Sequence, residues 1–359
     1  MRWTRFVSLS LALSLTLVAC GQPVSQTDST TDKTAQEQPA STSTSATDTA
    51  PAAPEQSADS ESESAAAEQT AANPLGTVAN TIADDEDALV ATYANRFTQE
   101  TFEDADTGLA VTYNLFLPAN YDASQSYPMV VFIADSSCAK GDPVRSLTQG
   151  LGALVWASDE WQSANPTIVC VPTYSETILD DHSGYTTTEY VELTKRLIDS
   201  VASTYAVDAS RIYGTGQSMG CMTHLILASE YPDLYAACMF VDGQWDVSTL
   251  AGLEGQSFVY FAAEDDERAS QGLSQVRAMF DADEAPYAAA QWDGTWSPDE
   301  LSTAAGELFG QNQSANFVTW ATGTIDAGSG GGMGNASYHM ASFDYAYRCI
   351  AVMEWLFQQ

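Results

Sequence analysis

IYGTGQSMG, residues Ile212 to Gly220, is a short β-branched and aromatic stretch running directly into Gly216-Gln217-Ser218-Met219-Gly220. This is a GxSxG pentapeptide. When a strand turns sharply into a helix at such a pattern, the serine is held in a strained backbone conformation with its Oγ above the sheet, and the glycines let strand and helix approach. The pattern is short enough to arise by chance, so its flanks decide. Upstream, Asp208-Ala-Ser-Arg-Ile-Tyr is the entry to a strand; downstream, MGCMTHLILASEYP reads as a helix stopped at Pro232. Ser218 is therefore the candidate nucleophile.

Working outward, Arg96 to Phe102 and Leu109 to Leu117 alternate in polarity across Asp-rich turn residues, which predicts an antiparallel hairpin. MVVFIA at 129–134 and TIVCVP at 167–172 are continuous apolar runs, expected of strands covered on both faces. Helix is expected within Leu147 to Trp161. Thr187 to Tyr205 carries Tyr190, Leu193, Leu197 and Val201 at helical spacing. After the elbow, AACMFVDG (236–243) and SFVYFAAEDD (257–266) read as buried strands, followed by a helix over Ser270 to Phe280. SFDYAYRCIAVMEWLF (342–357) closes the chain as an amphipathic helix. This alternation predicts an α/β fold: a mainly parallel central sheet with helices on both faces and an N-terminal antiparallel hairpin. Trp292 to Asn335 fits the alternation poorly. It includes GSGGGMGN at 328–335, which cannot hold regular structure, and is read as a long excursion beside the site.

A serine hydroxyl is a weak nucleophile and needs a general base, oriented in turn by a carboxylate. The chain has only three histidines. His224 lies on the elbow helix pointing away from the tip and reads as structural; His182, in ILDDHSGY, is as consistent with surface as with site. His339 stands after the Gly-rich stretch and before the final helix, and is the candidate base. At the end of a buried strand, Glu264-Asp265-Asp266-Glu267 supplies the acid: Asp266 is the choice, Asp265 next, with Asp242 after the preceding strand a third. The remaining members of the run read as solvated loop charges. A tetrahedral oxyanion needs two backbone donors. Met219 N–H is one, and the loop after MVVFI, at Ala134 to Ser137, should supply the other.

LFLPANYDASQSYPMVVFI, VDASRIYGTGQSMG, the strands ending at Asp242 and Asp266, and the end around His339 with EWLFQQ together resemble an α/β-hydrolase. The likeness is to the esterase branch that includes polyhydroxybutyrate depolymerase-like and feruloyl esterase-like enzymes, and it covers roughly Ala110 to Gln359. The order Ser218, Asp266, His339 is that of the fold. The resemblance implies hydrolysis of carboxylic esters through an acyl-enzyme, with neither metal nor organic cofactor. One departure stands out: relatives commonly follow the strand with His-Gly, whereas this chain has Ala134-Asp135 and then Ser136-Ser137-Cys138, with Ser136 as the expected donor.

Residues 1–20 carry Arg2, Arg5 and the apolar run FVSLSLALSLTLVA before Cys20. This is an export signal, too short for a span. Leu17-Val18-Ala19-Cys20 resembles a bacterial lipobox, with Cys20 as the lipidation site. Residues 21–80 are Ser, Thr, Ala, Gln, Pro and acidic residues, a disordered tether, which leaves 81–359 as one catalytic domain. The protein is thus expected at the extracytoplasmic face of the cell membrane, held through its lipid anchor only. A net charge of -36 repels nucleic acid and anionic lipid. Cys138, Cys170, Cys221, Cys238 and Cys349 follow the lipobox, an odd number in mostly apolar settings that reads as buried free thiols. The leading expectation is a serine esterase acting on a small-molecule or polymer ester; its rivals are a serine peptidase of the same fold and a catalytically inactive ligand-binding lipoprotein.

Overall fold

The computed structural model describes residues 75–78, 86–328 and 335–359. The signal, Cys20, most of the tether and residues 329–334 of the Gly-rich run lie outside the described residues. In chain order, α1 (Glu86–Tyr93) leads into β1 (Thr98–Glu103), β2 (Ala110–Phe116), β3 (Tyr127–Ile133), α2 (Asp159–Ala164) and β4 (Ile168–Thr173). A small hairpin of β5 (Leu179–Asp180) and β6 (Thr186–Thr187) precedes α3 (Glu189–Thr204), β7 (Val207–Gln217) and α4 (Met219–Glu230). Next come β8 (Ala237–Val241), β9 (Phe258–Ala263), α5 (Glu267–Ala282), β10 (Ala288–Trp292), α6 (Pro298–Phe309) and β11 (Ala315–Trp320). Helices α7 (Asn335–Tyr347) and α8 (Ile350–Leu356) end the chain.

Nine of these strands form one sheet in the order β1-β2-β4-β3-β7-β8-β9-β11-β10. β1 pairs antiparallel with β2, and β2 with β4; every other pair is parallel. The expected α/β-hydrolase architecture is what forms, a mixed sheet with its antiparallel strands at the N-terminal edge. Strand β3 shows why its sequence is apolar throughout: Val130 and Phe132 enter the core on one face of the sheet, Met129, Val131 and Ile133 the core on the other. Each such buried side chain contributes roughly 1.5–3 kcal/mol relative to exposure.

Four expectations need correction. The segment read as an excursion carries regular elements, α6 and β11, and β11 with β10, which ends at Trp292, extends the parallel sheet by two strands. AAAQW and ANFVTW are short and weakly apolar; their strand character comes from pairing with β9 and one another rather than from pattern. Leu147 to Trp161 does contain helix, but only one 3-10 turn, Val155–Ala157, and the start of α2. The final helix is two, α7 and α8, broken at Arg348-Cys349. Finally, residues 75–78, placed with the tether, pack on the domain. Leu75 and Val78 join the core, and the buried Glu354 carboxylate of α8 accepts the N–H groups of Gly76, Thr77 (2.8 Å) and Val78 (2.8 Å). All five described cysteines are free and buried.

Candidate active site

The elbow forms as its residues require. Tyr213 stacks on Phe357 at 4.4 Å, and Ser218 takes φ 52°, ψ −113°, a region that costs a non-glycine residue about 1–3 kcal/mol. The two glycines have separate steric reasons. A Cβ on Gly216 would lie 2.7 Å from the Ile133 carbonyl oxygen and from the Gly220 backbone, and one on Gly220 would lie 1.9 Å from the same Ile133 oxygen. Neither obstacle is a side chain that could move. Ser218 N–H bonds the Val241 carbonyl at 3.0 Å, tying the turn to β8.

His339 reaches this serine from the other side of the site. It lies on the second turn of α7, not in a loop before the last helix, and its Nε2 is 2.9 Å from Ser218 Oγ. Its Nδ1 is hydrogen-bonded to Asp266 Oδ2. The Ser342 hydroxyl donates to the His339 carbonyl at 3.0 Å, and Phe343 meets the imidazole edge-on at 4.9 Å. Asp266, 1% exposed, spends its other oxygen on capping α5, accepting the N–H groups of Arg268 (3.2 Å) and Ala269 (3.3 Å). One carboxylate thereby orients the imidazole and is itself fixed by a helix start. Burial opposes charge on His339, but the hydrogen bond and charge of Asp266, helped by Asp242 and Asp135, win and raise its pKa above 6.5.

The other acids do different work. Asp265 accepts Gly323 N–H at 2.7 Å, and Glu264 accepts Thr322 N–H at 3.0 Å, so both pin the turn after β11 rather than standing in solvent. Asp242 is fully buried at φ 45°, with Oδ1 on the Ala263 N–H at 2.8 Å. Burial, reinforced by the Asp266 charge against the Ala263 hydrogen bond, pushes its pKa up to about 7. His224 is buried, its Nδ1 2.9 Å from the Tyr235 hydroxyl, and burial drops its pKa to about 3. It is the structural histidine expected.

Opposite the elbow, Ser136 to Cys138 form one turn of 3-10 helix capped by Asp135, whose side chain accepts the Ser137 N–H at 2.9 Å. Ser136 and Met219 both occupy first positions of helical turns, where no carbonyl of the same turn can accept their N–H groups. Both line the same cavity of about 670 Å³ as Ser218 and His339. The hairpin β5-β6 forms its far wall with Leu179, Asp180, Asp181 and His182. Sequence reading missed how that wall is latched: Arg268, two residues past Asp266, donates to the Asp181 carbonyl (2.9 Å) and carboxylate (2.7 Å) and lies 2.8 Å from His182 Nδ1. Gln244 also lines the cavity and donates to Asp181. Placing Asp266 at the start of a helix would have located Arg268 in its first turn; nothing in the sequence marks Asp181 as its partner. Among the described residues no group of three His, Cys, Asp or Glu side chains is arranged to hold a metal ion.

Several known proteins are similar to this chain. Feruloyl esterase B of Talaromyces funiculosus is 35% identical over 77 residues, 21% of this chain and 21% of that protein. The crystal structure of a thermostable esterase superposes with a TM-score of 0.59 at 23% identity, covering 74% of this chain and 64% of the other. A ferulic acid esterase structure superposes with a TM-score of 0.47 at 13% identity, over 73% of this chain and 98% of that one. This chain thus spans only part of the fungal relative and of the thermostable esterase, and the structural likeness speaks to fold. The family match is broader: residues 105–320 match the Esterase family, a span that holds Ser218 and Asp266 and stops before His339. Running from the turn after β1 to the end of β11, and carrying the elbow and the strand before Asp266 with it, that match places this chain in the Esterase family of α/β-hydrolases, to which it belongs.

Proposed function

We propose that the protein is a carboxylic ester hydrolase in which Ser218 is the nucleophile, His339 the general base and Asp266 the residue that orients it. The observation that carries this reading is the continuous chain of hydrogen bonds from Ser218 Oγ through His339 to Asp266. His339 Nε2 takes the proton as Ser218 Oγ attacks the ester carbonyl; Asp266 stabilises the imidazolium. The N–H groups of Met219 and Ser136 bind the tetrahedral oxyanion. Collapse expels the alcohol with the proton from His339, leaving an acyl-serine. Water, deprotonated by the same histidine, then attacks the acyl carbonyl and releases the carboxylic acid.

The export signal and lipobox support a second element of the proposal: the mature chain is anchored through lipid on Cys20 and faces the extracytoplasmic side, with its Ser- and Thr-rich segment as tether. Metabolic labelling with an alkynyl fatty acid tests the anchor. Signal is expected on the wild-type chain and none on Cys20→Ala; equal labelling of both would remove the lipoprotein claim. For the chemistry, a short-chain p-nitrophenyl ester and a peptide p-nitroanilide are assayed side by side. Ester turnover that vanishes in His339→Ala is expected, and turnover of the anilide alone would make the enzyme a peptidase.

A further inference from the structure

An oxyanion site accelerates a reaction only if its donors are already fixed when charge develops. Met219 N–H is fixed by the start of α4. Ser136 N–H belongs to a loop that leaves β3 at Ala134 with its turn residues Ser136 and Ser137 exposed, so something other than burial must hold it. We propose that Asp135 and Gln149 are positioning residues that brace this turn against the nucleophile strand; the inference rests on the esterase reading above.

The brace is a closed set of side-chain bonds. Asp135 Oδ1 accepts the Ser137 N–H (2.9 Å), the Ser137 hydroxyl (2.7 Å) and the Gln149 amide. A carboxylate oxygen suits this convergence because it is acceptor-only and charged. By taking the Ser137 N–H, Asp135 leaves Ser136 as the cavity-facing residue of the turn whose N–H is available for substrate. Gln149 closes the set from its other end: its Oε1 accepts the Asp135 N–H at 3.2 Å and the Gln217 side-chain amide at 3.0 Å. Gln217 is fully buried and directly precedes Ser218. The chain Ser137, Asp135, Gln149, Gln217 therefore couples the oxyanion turn to the nucleophile's own strand.

The same short segment also reaches the base. Leu151 N–H, two residues on, is 2.7 Å from Asp344 Oδ1, on the α7 helix that carries His339. Residues 149–151 thus touch the three elements that must agree in position: oxyanion turn, nucleophile strand and base helix. Asp135 has an electrostatic consequence as well. Its negative charge helps to raise the pKa of His339, so replacing the charge but keeping the shape should move the pH profile.

The test uses the full chain with a short-chain p-nitrophenyl ester. Asp135→Ala and Gln149→Ala are each expected to lower kcat about 100-fold with KM within threefold, the size of losing one oxyanion donor. The double variant should lose little more than either alone, because the two side chains act as one unit. Gln149→Met fills the same space without the amide; it should match Gln149→Ala in kcat while melting near the wild type. Asp135→Asn should retain kcat within about 10-fold and shift the acid limb of kcat/KM to lower pH. Alanine variants that keep kcat within threefold, or losses that multiply in the double variant, would overturn the brace. A wild-type chain inert to esters and to a fluorophosphonate would overturn the esterase reading and the brace together, whereas active wild type with active brace variants removes the brace alone.

Discussion

The elbow at Ile212 to Gly220 and the loop from Ala134 to Leu151 face each other across one cavity, yet they are built by opposite means. At the elbow the backbone itself is the constraint. Gly216 and Gly220 are required because Ile133 O and the Gly220 backbone occupy the space of any Cβ, and Ser218 is strained because the turn permits nothing else. In the loop Gly150, at φ 80°, is constrained by its backbone, but side chains impose much of the shape through Asp135, Gln149 and Asp344. A site can thus be half steric and half hydrogen-bonded. The first half has no room for a Cβ at Gly216 or Gly220, and the second tolerates substitutions that preserve donors and acceptors.

The comparison is tested hardest by removing the elbow's function and then its form. Ser218→Ala should lower kcat by about 10⁴-fold or more with folding intact, as loss of a triad nucleophile does. Gly220→Ala should cost about 3 kcal/mol or more, because its Cβ would sit 1.9 Å from a backbone oxygen; a melting temperature within a few degrees of wild type would break the steric account. In the loop, Gly150→Ala meets φ +80° and, 2.3 Å away, the Asp344 carboxylate, a side chain that can move. Its expected cost is smaller, about 1–2 kcal/mol. Finding it more damaging than Gly220→Ala by urea denaturation would reverse the ranking of the two regions.

Two pH measurements sharpen the electrostatics behind the elbow. Asp242 has a folded pKa of about 7 against an ordinary 3.8, so between those values the folded chain holds a proton that the unfolded chain has released. Stability from this group is therefore lost as pH rises through that window, by up to about 1.4 kcal/mol per pH unit. Asp242→Asn should abolish the decline between pH 5 and pH 7, measured by urea unfolding; parallel pH slopes for the two proteins would contradict the burial argument. His339 must be neutral to accept the serine proton. Since Asp266 raises its pKa, the acid limb of kcat/KM should have its midpoint above pH 6.5. A midpoint below that value would mean that Asp266 is not paired with it in the free enzyme.

What could be read from sequence follows the same division. β3, β8 and β9 are central strands buried on both faces, and their apolar runs stand out because none of their positions is exposed. The order of Ser218, Asp266 and His339 was legible for a related reason: each is tied to a strand or helix end with its own local signal. β10 and β11 were not legible. Gln291 on β10 is exposed and Thr319 on β11 half-buried, and Asn316, within β11, is buried by bonds to Phe258, Gln313 and Ser314 rather than by an apolar pattern. The sequence puts His339 before a helix rather than on one because the adjacent Gly-rich run obscures where α7 begins. Asp135, Gln149, Asp181 and Arg268 act through partners up to 87 residues away, and no local pattern encodes such a pairing.

The central claim is that the strained serine of the elbow is a working nucleophile activated by a histidine from α7. Treating the full chain with a fluorophosphonate and mapping the modified peptide tests it most directly. The account predicts a single adduct on Ser218 that forms rapidly in wild type and slows by orders of magnitude in His339→Ala. An unmodified Ser218, or an adduct that forms equally fast without His339, would contradict it.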